Sequence, residues 1–195
     1  KCSAASRVIV IEEIYERFTN RLVEAARSIE VGSSEDPHMF MGPVIDKDAY
    51  DRIKEYIEIG KGEATLAFQG NVPNSGPNAK GYFIPPTIFT NVPAKARIAQ
   101  EEIFGPVLSI IKVKNLEEAL FVANDTDYAL TGAIYSRSPG NIEVVRREFN
   151  VGNLYINRGS TGALVERHPF GGFKLSGGGS KTGGPDYLLH FMDPK

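Results

Sequence analysis

Hydrophobic positions along this chain alternate between short apolar runs and longer stretches with helical spacing. The first run, SRVIVI at residues 6–11, is short and β-branched, and it predicts a buried strand. Residues 12–29 then place apolar side chains at helical spacing with charged residues between them, which predicts an amphipathic helix. The apolar face of that helix is expected to carry Ile14, Phe18, Leu22, Ala25, Ala26 and Ile29.

The same alternation continues to residue 157. Asp46 is a suitable N-cap for a second helix, which is expected to end near Gly60. The remaining predicted strands cover residues 65–69, 107–113, 130–136 and 154–156, and further helices are predicted after Asn115 and from Ser138–Pro139 onward.

Two stretches interrupt this regularity. Residues 71–81 are rich in Asn, Pro and Gly and predict an excursion over the surface. Residues 82–89 are apolar but contain Pro85 and Pro86, so this run cannot be a central strand along its whole length.

Alternation of strands and helices at this spacing predicts an α/β fold with a mostly parallel sheet and helices on both faces. Ligands of such sheets bind at the carboxyl ends of the strands. The chain has 195 residues, 42% of them hydrophobic, which suffices for one good core and is too short for two large domains. We therefore expect residues 1–195 to form a single domain.

Charge and cysteine content narrow the function classes. A formal net charge of -2 and a pI near 6.0 give no electrostatic case for binding nucleic acid or an anionic membrane. The chain has one cysteine, so an internal disulfide is excluded and a reducing, cytoplasmic location is expected. It begins without a start methionine or a signal peptide, which indicates a fragment of a longer or processed protein.

The stretch from residue 152 to 184 is long, irregular and rich in glycine. It holds 10 of the 20 glycines, and such residues leave backbone N–H groups unshielded by side chains. Exposed amides of this kind suit an anion or a carboxylate. A surface loop shaped only for packing is the alternative interpretation.

Three residues outside this stretch could carry chemistry. Cys2 is a capable nucleophile with small or polar neighbours, although a lone cysteine is often only a small buried hydrophobe. Glu102 and Phe104 are two positions apart in EEIFGP and would face the same side of an extended segment, where one could bind ribose hydroxyls and the other could stack on a flat heterocycle. The alternative is a solvated acid beside a core phenylalanine.

Other cofactor signals are missing from the sequence. The three histidines, His38, His168 and His190, are widely scattered and no Cys-x-x-Cys occurs, so no metal site is predicted. No Gly-x-Gly-x-x-Gly follows a strand and opens a helix, so the chain shows no dinucleotide-binding fold of its own.

Taken together, the segments KCSAASRV, GYFIPPTIF, QEEIFGPV and GNLYINRGSTGALVERHPFGGFKLSG resemble the catalytic half of the aldehyde dehydrogenase superfamily. The resemblance covers essentially the whole chain and implies a three-layer αβα catalytic domain. The segments TGALVERHPFGG and GGPDYLLHF are most similar to bacterial members that oxidise L-glutamate γ-semialdehyde to glutamate in proline catabolism.

This resemblance also implies roles for individual residues. Cys2 matches the nucleophile that forms a thiohemiacetal with the aldehyde before hydride passes to NAD. Glu102 matches the residue that holds the nicotinamide ribose, and Phe104 the one that packs near the nicotinamide. The residues that match the substrate-binding group are Ser3, Gly162 and Ala163 around the carboxylate and Phe170 along the aliphatic part.

In this family the NAD-binding domain, the general-base glutamate and the oxyanion asparagine lie upstream of the cysteine. The resemblance therefore implies that this chain alone lacks full dehydrogenase activity, and that the parent protein is a homo-oligomer. The strand that normally crosses to a partner subunit is expected to be cut short at Pro194–Lys195.

Several alternatives stay open on the sequence alone. Cys2 could serve a hydrolase, activated by His168, or the chain could be a non-catalytic assembly module. Within the superfamily, the substrate could be another carboxylated aldehyde such as succinate semialdehyde, and the cofactor could be NADP. The parent could be a stand-alone dehydrogenase or a fused proline-oxidising protein.

Overall fold

A computed structural model describes residues 1–74 and 77–193. The chain divides into two compact units, and each is described by itself. The middle unit comprises residues 6–115, and the thiol unit comprises residues 1–5 together with the chain from Leu116 onward. The expectation of a single domain stays a prediction.

The middle unit is built on a mixed sheet. Its strands are β1 (Arg7–Ile11), β2 (Thr65–Gln69), β3 (Thr87–Thr90) and β4 (Val107–Val113), and its helices are α1 (Glu12–Ala26), α2 (Lys47–Glu63) and the short α3 (Arg97–Gln100). The strand order is β1-β4-β3-β2, with β1 and β3 both parallel to β4 and β2 antiparallel to β3. Residues Pro77–Lys80 form a turn of 3-10 helix. The rest of the predicted excursion includes residues 75 and 76, which lie outside the described residues.

The core of this unit lies along β3 and β4. Phe89 and Ile110 are fully buried there, and Ile53 of α2 is fully buried as well. As expected from Pro85 and Pro86, the strand begins only at Thr87, after the second proline. Strands β2 and β4 have the predicted bounds.

Helix α1 differs from its prediction in length and at Ile14 and Ala25, which are exposed. It ends at Ala26 rather than at residue 29, and Ile14 is 42% exposed, so its assignment to the buried face is wrong. The neighbouring Tyr15 is buried instead, because its hydroxyl accepts a hydrogen bond from the Asn91 amide at 2.8 Å and lies 3.5 Å from the Ile110 carbonyl oxygen. Phe18, Leu22, Ala26 and Ile29 lie in or against the core, as predicted.

Helix α2 begins as predicted and ends later. The Asp46 side chain accepts a hydrogen bond from the Ala49 amide at 2.8 Å, which confirms the N-cap. The helix continues past Gly60 to Glu63, so the prediction that glycine ends it is wrong. A Cβ atom at Gly60 would lie 2.6 Å from the Phe89 ring, so the glycine is present for close packing.

The thiol unit contains two pairs of strands and two helices. The parallel pair is β6 (Thr131–Ile134) with β7 (Asn153–Ile156), and the antiparallel pair is β5 (Tyr128–Ala129) with β8 (Phe173–Lys174). The helices are α4 (Leu116–Asn124) and α5 (Pro139–Glu148), the latter capped by Ser138 as predicted. A 3-10 turn, Tyr187–Phe191, follows near the end, and residues 194 and 195, where a shortened strand was predicted, lie outside the described residues.

The predicted α/β class therefore holds, with parallel pairing in both units and antiparallel pairing at β2 and β8. A search of the described helices finds none with the length and apolar character needed to cross a membrane.

Candidate active site

The thiol lies in a short, exposed turn at the beginning of the chain. The Ala4 amide donates to the Lys1 carbonyl at 3.1 Å and closes the turn around Cys2 and Ser3. Cys2 is exposed and in no disulfide, whereas Ser3 is only 8% exposed. The thiol is thus open to a reactant while the next residue anchors it, which does not fit a small buried hydrophobe.

Two hydroxyl groups hold the Ser3 carbonyl oxygen. One is Thr131 Oγ1 of β6 at 3.4 Å, and the other is Ser160 Oγ at 3.2 Å. Ser160 belongs to residues 157–163, which follow β7 and which we call the amide loop. The structure therefore brings the start of the chain to a loop some 157 positions later.

Two consecutive backbone amides of the amide loop have no partner in the described part of the chain. Gly162 has a φ of +89°, which turns the chain, and the N–H groups of Gly162 and Ala163 donate to no residue that the structure describes. The next amide, that of Leu164, is satisfied by His168 Nδ1 at 3.2 Å. Two adjacent free donors at an exposed glycine can bind a carboxylate.

Arg158 supports the amide loop from within. Its Nη2 donates to the Thr161 carbonyl at 3.0 Å, and its guanidinium carbon lies 5.0 Å from the centre of the Tyr155 ring. Tyr155 is 6% exposed, which makes it a fixed surface for the guanidinium group. The carbonyl just before Gly162 is therefore held against the end of β7.

His168 closes a turn of its own. Its amide donates to the Leu164 carbonyl at 2.7 Å, while its Nδ1 accepts from the Leu164 amide. His168 Nδ1 is thus engaged as the acceptor of a backbone hydrogen bond. This arrangement does not favour His168 as the base that activates Cys2.

Phe170 is half-buried and held on both sides. The Asn153 side chain donates from Nδ2 to the Pro169 carbonyl at 2.9 Å and accepts from the Gly171 amide at 3.3 Å. Phe170 and Thr182 form an antiparallel bridge with amide–carbonyl distances of 2.9 and 2.8 Å. The backbone at Phe170 is therefore fixed, and the role of its ring stays a prediction.

Lys181 ties the same region together from a partly buried position. Its Nζ donates to the carbonyl oxygens of Gly152 and Gly171 at 2.5 and 2.6 Å. Burial lowers the pKa of its amine below the ordinary value. The lysine links the residue before β7 to the residue after Phe170.

Glu102 and Phe104 lie in the middle unit, on either side of a buried anchor. Ile103 is 5% exposed, whereas Glu102 is exposed and Phe104 is 55% exposed with a φ of +53°. Glu102 has no hydrogen-bond or ion-pair partner among the residues that the structure describes. A free carboxylate and an open aromatic face fit the two contacts predicted for a dinucleotide cofactor, and the roles themselves stay predictions.

The adjacent Glu101 differs from Glu102 because its carboxylate is hydrogen-bonded to two side chains. Arg97 donates to both of its carboxylate oxygens at 3.0 Å, and the Tyr56 hydroxyl donates to Oε2 at 2.6 Å. The Arg97 guanidinium, with help from Tyr56, lowers the pKa of Glu101 to about 2. Glu101 therefore fixes the segment and leaves Glu102 free.

Sequence reasoning missed the side chains that hold this site together: Asn153, Arg158, Ser160 and Lys181. The only sequence signal for them is that polar residues interrupt an otherwise apolar or glycine-rich stretch. No three His, Cys, Asp or Glu residues group around a possible metal position within residues 1–74 and 77–193.

Comparison with known proteins agrees with the fold. The sequence pattern of the aldehyde dehydrogenase family matches residues 1–195, and the chain belongs to that family. Among similar proteins are 1-pyrroline-5-carboxylate dehydrogenases. The one from Anoxybacillus flavithermus is 54% identical over 195 residues, which are all of this chain and 37% of the relative. The 1-pyrroline-5-carboxylate dehydrogenase 2 of Bacillus subtilis is 51% identical with the same coverage.

Solved structures of similar proteins share the fold of this chain. Proline utilization A from Bdellovibrio bacteriovorus has 59% identity and a TM-score of 0.95, covering all of this chain and 20% of that one. The 1-pyrroline-5-carboxylate dehydrogenase from Thermus with bound NAD has 52% identity and a TM-score of 0.92, covering 99% of this chain and 36% of that one. These similarities confirm the predicted fold, and the chain spans little more than a third of the curated relatives.

Proposed function

We propose that this chain is the thiol-bearing half of an NAD-dependent dehydrogenase that oxidises L-glutamate γ-semialdehyde to L-glutamate. This substrate forms from 1-pyrroline-5-carboxylate, and the reaction belongs to proline catabolism. The observation that carries the proposal is the juxtaposition of the Cys2–Ser3 turn with the amide loop, through the hydrogen bond from Ser160 to Ser3. The names of the similar proteins support the choice of substrate.

Cys2 is the nucleophile of the proposed reaction. Its thiolate attacks the aldehyde carbon and forms a thiohemiacetal, and the oxygen of that group becomes an oxyanion. The Cys2 amide donates to no described residue and is free to stabilise this oxyanion. Loss of hydride leaves a thioester on Cys2, which water cleaves to the carboxylic acid.

The far end of the substrate is a carboxylate, and the amide loop supplies its donors. The free N–H groups of Gly162 and Ala163, with the Ser3 hydroxyl, are the proposed ligands. Each charge-assisted hydrogen bond is worth about 1.5–3 kcal/mol. Because these bonds fix one end of the substrate, they also orient the aldehyde toward the thiol. Phe170 is proposed to line the aliphatic part between the two ends.

NAD, when bound, supplies the acceptor for the hydride. Glu102 would hold its ribose hydroxyls, since the structure leaves this carboxylate exposed and without a partner among the described residues. Phe104 would pack near the nicotinamide, since its ring is 55% exposed. The family resemblance implies that the rest of the cofactor site lies upstream of this chain.

We further propose that the parent protein works in the cytoplasm as a homo-oligomer. The single cysteine supports a reducing compartment, because its thiol must stay free for the proposed reaction. The oligomer rests on the family resemblance alone.

Steady-state formation of NADH by the intact parent protein tests the proposal. We expect turnover of L-glutamate γ-semialdehyde, and we expect Cys2→Ala to reduce kcat by at least about a thousandfold. Activity that survives Cys2→Ala would contradict the nucleophile. A higher kcat/KM for succinate semialdehyde than for glutamate semialdehyde would contradict the substrate.

A further inference from the structure

We propose that Ser160 is a positioning residue that sets the distance between the thiol and the carboxylate-binding amides. Its hydroxyl would thereby select aldehydes of one length that carry a carboxylate at the far end. This inference rests on the proposed function, and it assigns a task to a residue that contacts neither the aldehyde nor the cofactor in that proposal.

Ser160 connects the two parts of the molecule that are proposed to contact the two ends of the substrate. Its Oγ donates to the Ser3 carbonyl at 3.2 Å, one residue after the thiol. Gly162 and Ala163, which carry the free amides, follow two and three positions later in the same loop. A shift of Ser160 relative to Ser3 would therefore move the amides relative to Cys2.

The other side-chain supports of the amide loop join it to β7 and to the residue Ser136 that follows β6. Asn157 accepts from the Ser136 amide and donates to the Ser136 carbonyl, both at 2.9 Å. Arg158 bonds to Thr161 within the loop and lies over Tyr155 of β7. These contacts fix the shape of the loop, but they do not reach residues 1–5. The Ser160 hydroxyl does, so it fixes where the shaped loop lies with respect to the thiol.

The position of the amide loop matters only for substrates that contact both the thiol and the amides of Gly162 and Ala163. A carboxylated aldehyde has a fixed span between its carboxylate and its carbonyl carbon, so a displaced loop moves the carbon away from the thiolate. Orientation losses of this kind lower the rate steeply. An uncharged aldehyde of equal length does not use the amides and is indifferent to their position.

Thr131 provides a matched control within the chain. Its hydroxyl donates to the same Ser3 carbonyl oxygen at 3.4 Å, but it comes from β6 rather than from the amide loop. Loss of either hydroxyl removes one hydrogen bond from the same acceptor. Only the loss of Ser160 also removes a hydrogen bond between the amide loop and residues 1–5.

The test compares Ser160→Ala, Ser160→Thr and Thr131→Val in the intact parent protein. Each variant is assayed with L-glutamate γ-semialdehyde and with pentanal, an uncharged aldehyde of five carbons. We expect Ser160→Ala to lower kcat/KM for the semialdehyde by roughly three- to tenfold, the equivalent of one hydrogen bond, with kcat reduced as well as KM raised. The kcat/KM of Ser160→Ala for pentanal should stay within about twofold of that of the unsubstituted protein. Ser160→Thr keeps the hydroxyl and should restore kcat/KM for the semialdehyde.

Thr131→Val should change both aldehydes by the same factor. The inference is overturned if Ser160→Ala affects both aldehydes equally, as a general loosening of the thiol turn would, or if it affects neither. It is also overturned if Ser160→Thr fails to restore selectivity while remaining folded. Failure of the parent protein itself to oxidise the semialdehyde would instead refute the proposed function.

Discussion

At the scale of single residues, Gly162 combines a backbone requirement with a proposed binding role. Its φ of +89° lies in the left-handed region, which a side chain makes unfavourable by about 1–2 kcal/mol. An added Cβ would also lie 3.3 Å from Arg158 Nη2 and would press on the group that supports the loop. We expect Gly162→Ala to raise KM for glutamate semialdehyde several-fold and to destabilise the parent protein by about 1–2 kcal/mol.

Gly159 of the same loop is the control for that substitution. A Cβ there would meet no atom within 4 Å, and its φ is not in the left-handed region. Gly159→Ala should leave KM and the free energy of unfolding nearly unchanged. Equal effects of the two substitutions, measured by steady-state kinetics and urea unfolding, would show that the backbone at position 162 has no special role.

Glu101 and Glu102 show how neighbouring residues of one type can divide two tasks. The sequence motif EEIFGP does not tell which carboxylate is held and which is free. The structure separates them, because Arg97 and Tyr56 occupy Glu101. Arg97 lies only four positions before Glu101, a spacing that the sequence shows, whereas Tyr56 lies 45 positions before it in α2 and has no local signal.

At the scale of elements, helix α2 contains two glycines in contrasting surroundings. Gly60 faces the Phe89 ring, which is fully buried and cannot move aside, whereas a Cβ at Gly62 would meet nothing within 4 Å. We expect Gly60→Ala to destabilise the protein by about 1–2 kcal/mol, because overpacking of about 1–3 kcal/mol outweighs a gain in helix propensity of up to about 1 kcal/mol.

Gly62→Ala in the same helix should have the opposite sign. It gains helix propensity without a clash, so we expect the free energy of unfolding to rise by about 0.5–1 kcal/mol. Urea unfolding of both variants of the intact parent measures the difference. A stabilised Gly60→Ala variant would mean that the contact with Phe89 is loose.

Local signals explain why most elements could be predicted. Caps at Asp46 and Ser138 and the proline pair before Thr87 act within a few residues, and the structure follows all of them. The errors arose where a distant partner decided the outcome. The Phe89 ring packs against Gly60 in the interior of α2, and the hydrogen bonds of Tyr15 with Asn91 and Ile110 place Tyr15 rather than Ile14 on the buried face of α1.

At the scale of the whole molecule, the chain covers 37% of a relative that resembles it throughout. The family resemblance implies that the general base and the oxyanion asparagine lie upstream. We therefore expect residues 1–195, expressed alone and shown to be folded by circular dichroism, to form no NADH from glutamate semialdehyde. Turnover at ordinary enzyme rates, about 1–1000 s⁻¹, would contradict this expectation.

The family resemblance points to Cys2, Ser3, Gly162 and Ala163, and their roles stay predictions. The structure brings the turn and the loop of the thiol unit together. The hydrogen bond that joins them links positions 157 apart, and no periodicity or spacing signals it. The cofactor roles of Glu102 and Phe104 stay predictions.

The acceptor of that hydrogen bond is a main-chain carbonyl, and this has an evolutionary consequence. Every amino acid at position 3 brings the same oxygen, so mutation there can alter the side chain without removing the acceptor. The donor, by contrast, exists only while position 160 keeps a hydroxyl. Mutation can therefore abolish this hydrogen bond at position 160 but not at position 3. A lineage that adapts to substrates of a different length would be expected to change position 160 first.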